Sequence, residues 1–265
     1  AGVAPRYRPQ VLRPESAPRR KGSATVDVLF SLYGRFPRDR PAFVADCFHT
    51  LRELGLKYDT SAVPGKYLFQ QGPRGGTTVV ESEGAKGGAE KFEAVVERVR
   101  AAYWPHIWME VDIPREERGS GARSVTAAPV TVSIRELPLT DRPAHYEGSA
   151  FYEVVMAAPV GPLLDVDREE DAEQGLHWFA TQVFLPFFIS REALFGKVDF
   201  DESGAREVAP RHLESLLIPD FYFLNVLGAP FVRKFGLEPF QNPKINPPAL
   251  QKRWMMRTPE GALVF

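Results

Sequence analysis

Asp199, Asp201 and Ser203 stand at alternate positions with Gly204 sixth, the layout of the first half of a calcium-binding loop. Calcium asks for hard oxygen ligands at those places and a bidentate glutamate at the twelfth, which here is Pro210. Without that carboxylate the segment is expected to be a solvated turn. A second acidic group is denser, comprising Asp165, Asp167, Glu169, Glu170, Asp171 and Glu173. Carboxylates so crowded suit a metal ion, a basic protein surface, or simply a helix N-terminus, where the macrodipole favours negative charge. Of the first two, the contact for a basic partner is the stronger expectation, carried by Asp165, Asp167, Glu169, Glu170 and Asp171.

The remaining inventory argues against catalysis. His49, His106, His145, His177 and His212 are scattered, and none is followed two to four residues on by a second histidine or a cysteine. No zinc-protease, nucleophile-elbow, phosphate-loop or dinucleotide-binding pattern occurs in the required strand–turn–helix setting. "GPRGG" at 72–76 is not followed by an apolar helix, so it is expected to be a loop and not a phosphate cradle. Cys47 is the single cysteine; it allows no intramolecular disulfide and falls on an apolar helix face, where a buried, inert thiol is expected. No catalytic residue, cofactor or metal site is expected.

Charge is uneven along the chain. Arg6, Arg8, Arg13, Arg19, Arg20 and Lys21 face Glu15 alone in residues 1–22, although the whole carries a net charge of −1. The body is therefore acidic, which together with the lack of an aromatic-plus-basic signature speaks against specific nucleic-acid binding. With Pro5, Pro9, Pro14 and Pro18 and no apolar periodicity, residues 1–22 form an extended basic arm that cannot build a core. Its arginines are the second candidate contact, reaching an acidic partner or a neighbouring subunit. No apolar run reaches the length of a membrane-spanning helix, and a cytoplasmic location is expected, with the periplasm as the alternative.

The elements that must position these groups follow from periodicity. Val26, Val28, Phe30 and Leu32 alternate through a strand over 24–36. Phe43, Val44, Cys47, Phe48, Leu51 and Leu54 mark a helix over 38–55, with Asp39 as N-cap, Pro41 in the first turn and Gly55 as stop. Short strands are expected at 66–70 and 77–81, and a helix at 87–104. Strands at 106–114, 128–139 and 149–159 follow. A helix over 168–188 is ended or kinked by Pro186; "KVDFDESG" is expected as loop and "RHLESLLIP" as a short helix. "PDFYFLNVLGAPFVRKFG" at 219–236 is expected as a core strand and turn feeding a short helix, with Asn225 bonding backbone near Gly228. A hairpin around "PEG" closes the chain. Three consecutive strands after a helix imply an α+β fold, mainly antiparallel, with helices packed on one face. Residues 23–265 are expected to form a single domain behind the arm.

The order of elements resembles bacterial immunity-type families linked to type VI secretion and polymorphic toxins. The resemblance is carried by the leading "VDVLFSLYGRF", the later "QVFLPFF", and Asn225-Val226-Leu227-Gly228 with Phe235-Gly236, placed where those families have an Asn-Trp-Leu…Leu-Gly…Leu-Gly-Gly stretch. The tryptophan after the asparagine is absent, Leu237 replaces the last glycine, and the basic arm is outside the pattern. The resemblance implies a non-enzymatic protein that occludes a cognate toxin. Two other classes stay open: an assembly protein whose arm grips a neighbouring subunit, making an oligomer, and an enzyme of unrecognised type using convergent acids or a histidine–acid pair.

Overall fold

Val28, Phe30 and Leu32 are fully buried on one side of strand β1 (Asp27–Arg35), as their alternation requires. The computed structural model describes residues 26–58, 65–72, 76–81, 91–116, 123–138, 148–164, 173–200, 207–218, 220, 222–241 and 255–265. Helix α1 (Arg40–Glu53) begins as expected: Asp39 Oδ1 accepts from Ala42 N at 3.0 Å, and Pro41 fills the first turn. Gly55 follows its end in the left-handed region, φ 100°.

Then come β2 (Lys66–Gln70), β3 (Thr77–Glu81), α2 (Phe92–Val99), β4 (Trp104–Glu116), β5 (Arg123–Pro138), β6 (Gly148–Pro159) and the single turn α3 (Val160–Leu163). The expected central helix is broken in an informative way. Helix α4 (Gln174–Phe179) passes into a π-helical segment (Ala180–Phe184) and then α5 (Leu185–Ser190), with Pro186 in the first turn of α5. The proline neither ends nor sharply breaks the run. Its missing N–H falls where the hydrogen-bond register has already shifted from the α pattern.

Strand β7 (Phe195–Phe200) replaces part of the expected loop. Helix α6 (Pro210–Glu214), β8 (Leu224–Leu227), α7 (Ala229–Phe235), α8 (Glu238–Gln241), β9 (Met256–Arg257) and β10 (Leu263–Val264) complete the described chain. The 219–236 stretch is thus a buried strand feeding a short helix. Asn225 is 3% exposed; its Oδ1 accepts from Tyr222 N and its Nδ2 donates to Tyr222 O. The amide bonds backbone on the entry side of β8, not at Gly228.

The ten described strands join one antiparallel sheet in the order β3-β2-β4-β5-β6-β1-β7-β8-β10-β9. The fold is α+β. Adjacent residues of one strand separate two apolar clusters: Leu32 and Tyr33, Tyr152 and Phe151, Val226 and Leu227 each divide between them. The larger cluster lies under the expected helical layer of α1, α2, α4 and α5. The smaller one gathers Phe195, Leu213, Phe231 and Phe240 beneath α6, α7 and α8 at the β7–β8 end of the other face. The rest of that second face carries the polar chemistry.

Candidate functional site

On strand β4, Ile107, Met109, Val111 and Ile113 point into the main core, so Trp104, His106, Trp108, Glu110 and Asp112 point the other way. Trp104, His106 and Trp108 form a half-buried aromatic row. Ring centroids are 4.6 Å apart for Trp104–His106, edge to face, and 6.3 Å for His106–Trp108. The ammonium of Lys66, from β2, lies 5.0 Å above the Trp108 ring. Three buried atoms on this one strand face, Trp104 Nε1, His106 Nε2 and Glu110 Oε2, have no hydrogen-bond partner among the described residues. Buried polar atoms are normally paired, so a line of three on one surface marks it.

Strand register sets an ionic network beside this row. Arg135 of β5 sits opposite Glu153 of β6, which sits opposite Tyr33 of β1. Glu153 is 5% exposed, and its two oxygens are taken by the Tyr33 hydroxyl, 2.7 Å away, and by Arg135 Nε. Burial, then the neighbouring Glu153 charge, hold the Tyr33 hydroxyl well above its usual pKa. Burial opposes the charge on Arg135, but Glu153 more than offsets it and raises the guanidinium's pKa. One row over, Ser31 pairs across to Lys197 of β7, and Lys197 to Asn225. Lys197 Nζ lies 4.3 Å from the Tyr222 ring centroid and 4.0 Å from Asp199 Oδ2, and burial lowers its pKa.

His106 is pushed down to about 4 by burial and by Arg135, so it is neutral at pH 7. As pH falls below the ordinary value of 6.5, the unfolded chain takes up this proton before the folded one. Stability present at neutral pH is therefore lost between pH 6.5 and 4, by about 3 kcal/mol over that interval. His106→Phe is expected to flatten urea-unfolding stability across that window; an unchanged slope would refute the assignment.

Two concavities are lined by described residues. A groove of about 880 Å³ at the strand ends is lined by Phe36, Phe43, Phe188, Gly228 and the arginines 35, 191 and 233. Arg191 is committed there, pairing with Asp46 and donating to Thr50. A cavity of about 130 Å³ lies between the π-helical segment and β8–β10, lined mostly by Phe184, Leu185, Leu224, Val226, Met256 and Val264.

The residues singled out from the sequence lie elsewhere. Arg6, Arg8, Arg13, Arg19 and Arg20 fall outside the described residues, as do Asp165, Asp167, Glu169, Glu170 and Asp171. Asp201, Ser203 and Gly204 also lie outside them, whereas Asp199 is a buried residue of β7 whose Oδ1 accepts from Phe200 N. Cys47 is fully buried and burial pushes its thiol up to about 12, as an inert thiol requires. His49 pairs with Glu93 on the surface between α1 and α2, and His212 Nδ1 accepts from Ala209 N at the start of α6. Among the described residues no group of three histidine, cysteine or acidic side chains is arranged to hold a metal, and no helix is long and apolar enough to cross a membrane. The aromatic row was visible in "WPHIW" as alternation, but alternation alone does not say which face of a strand is left open.

No family model matches the chain, and no curated protein matches it significantly. A solved T6SS protein of Pseudomonas aeruginosa is similar to it at 12% identity and a TM-score of 0.38, over 90% of this chain and 64% of that one. The chain thus spans less than two thirds of that protein's length. A likeness of this size says nothing about function.

Proposed function

We propose that the protein is a binding protein without catalysis of its own, which neutralises a cognate toxin by covering it. One observation carries the reading: among the described residues, the sheet face opposite the main core presents Trp104, His106 and Trp108 in a half-buried row flanked by Lys66 and Arg135. Tryptophan, tyrosine and arginine are enriched among the few residues that dominate binding at protein interfaces, because large rigid rings and planar cations gain much when water is excluded. A sheet face also offers a rigid platform of fixed side-chain spacing. The layout of the chain, with its Asn225–Gly228 segment, adds the immunity-type resemblance, and the network of Tyr33, Glu153 and Arg135 holds the platform without forming an open cleft.

The test is co-expression of the full chain with the products of adjacent genes. One of them is expected to be toxic alone, tolerated together with this protein, and recovered with it as a stoichiometric complex. Trp108→Ala is expected to raise Kd at least about 30-fold and abolish protection. Retention of full protection by Trp108→Ala, or substrate turnover by the protein alone, would overturn the reading.

A further inference from the structure

Resting on that binding reading, we infer that the partner protein adds an extended strand to β3, continuing the sheet beside the aromatic row. The groups that would receive it are the outward backbone N–H and C=O of Thr77, Val79 and Glu81. Their direction follows from the next strand inward. Tyr103 N donates to Gln70 O at 2.7 Å, so the backbone of Gln70 turns toward β4. Phe69 stands opposite Pro105, which has no N–H to give, and turns the other way. Alternation turns Tyr67 with it, and the two face Val80 and Thr78 of β3. Thr77, Val79 and Glu81 are left pointing away from the sheet, on the strand that ends its order.

Sheet edges invite pairing, and proteins ordinarily blunt them with lysine, proline, a bulge or a very short strand. The far edge is short: β9 has two residues. Strand β3 has five, Thr-Thr-Val-Val-Glu, without lysine, proline or glycine, and its register against β2 is unbroken. Thr77 and Thr78 are exposed, and Val79 is 55% exposed. Two features select a partner protein over a second copy of this chain. Edge-to-edge pairing of two five-residue strands falls short of the roughly 1,200 Å² that stable interfaces bury. A partner strand reaches more surface at once, because β3 adjoins the aromatic row: Val79 sits opposite Leu68, and Leu68 opposite His106, on one face. Backbone bonds at β3 then set the partner's register, and the row beside it supplies area. The arriving strand is expected to place a β-branched or aromatic residue against Val79.

Full-length ¹⁵N-labelled protein titrated with the peptide acetyl-Lys-Thr-Val-Thr-Val-Thr-Lys-amide tests the edge. The same peptide with proline in place of each valine is the control, since it cannot hold a paired strand. The expected result is saturable shifts and slowed hydrogen exchange at the Thr77, Val79 and Glu81 amides, with Thr78 and Val80, already bonded to β2, moving little. No saturable shift, or equal shifts with the proline peptide, would overturn the inference. Val79→Pro removes one outward N–H and no bond to β2, and is expected to weaken the toxin complex about tenfold. Val79→Thr keeps that N–H and is expected to stay within about twofold. If Val79→Pro does not fold, the peptide titration decides. A dimer of the protein alone, seen by sedimentation and abolished by Val79→Pro, would give the edge to a second copy and sink the proposal. If Val79→Pro keeps full toxin affinity while Trp108→Ala loses it, strand addition falls and the binding reading stands. Peptide pairing at β3 in a protein that binds no toxin supports the edge and overturns the binding reading.

Discussion

Glu153→Ala is expected to cost about 3 kcal/mol of folding stability, the largest effect of any polar substitution on the sheet face opposite the main core. The carboxylate is 5% exposed and serves two donors from neighbouring strands, so its removal strands both. The Tyr33 hydroxyl loses its carboxylate acceptor and keeps only the Ser31 hydroxyl beside it, and the loss of a buried charged partner carries much of the desolvation penalty of the group that remains. Arg135 loses its counter-charge but can turn partly to solvent, which keeps the cost at the low end of the range for breaking a buried pair. Glu153→Gln keeps an acceptor for Tyr33 and is expected to cost about half as much. A double replacement of Arg135 and Glu153 by leucine removes both charges together and is expected to be milder than Glu153→Ala. Urea unfolding of the three variants checks the order. A Glu153→Ala cost below about 1 kcal/mol would mean that water, not the carboxylate, satisfies Tyr33.

Gly228→Ala is expected to be at least as damaging, about 3 to 4 kcal/mol, for a different reason. A Cβ there would stand 2.4 Å from the carbonyl oxygen of Ala193 and 3.0 Å from that of Leu194. Neither atom belongs to a side chain that can swing away. Gly228 N donates to Leu194 O and Leu194 N donates to Tyr33 O, both at 2.8 Å, so the added methyl group pushes on the backbone where β1, β7 and β8 are tied. Gly161→Ala is the control: nothing lies within 4 Å of the position, and the change is expected to stay within about 0.5 kcal/mol. Thermal unfolding of the pair, each compared with the parent protein, separates close backbone approach from a general intolerance of glycine replacement.

Much of the fold is legible where one face of an element is apolar and the other is wet. Helix α1 with its Asp39 cap and strands β4 to β6 meet that condition, the helix through its 3.6-residue period and the strands through alternation, while the closing hairpin, exposed along β9 and buried along β10, is legible only from its turn. Strand β7 does not. Lys197 and Asp199 look like surface residues in a loop, because a charge in a one-dimensional pattern is indistinguishable from a solvated one. They are in fact held near each other on the inner part of a sheet face, and Gly196 is there because Phe184 and Phe188 lie where its side chain would be. The ionic network was hidden for the same reason. Tyr33, Arg135, Glu153 and Lys197 come from four strands, and only their register brings them together. The aromatic row needed less: its three rings are on one strand, and what the chain could not show was that they share the sheet face opposite the main core.

The first described strand lies in the middle of the sheet, between β6 and β7, and this has a consequence for how the protein is made. Tyr33 and its partner Glu153 are 120 residues apart, so β1 leaves the ribosome long before either neighbour exists. At ordinary synthesis rates of roughly 5 to 20 residues per second, the wait is on the order of ten seconds. Throughout it a strand containing Val28, Phe30 and Leu32 has both of its hydrogen-bonding edges open, the configuration most prone to pair with the wrong chain. Closure of the sheet around β1 is therefore gated by the arrival of distant segments, which sets its place late in folding although it is made first among the described strands.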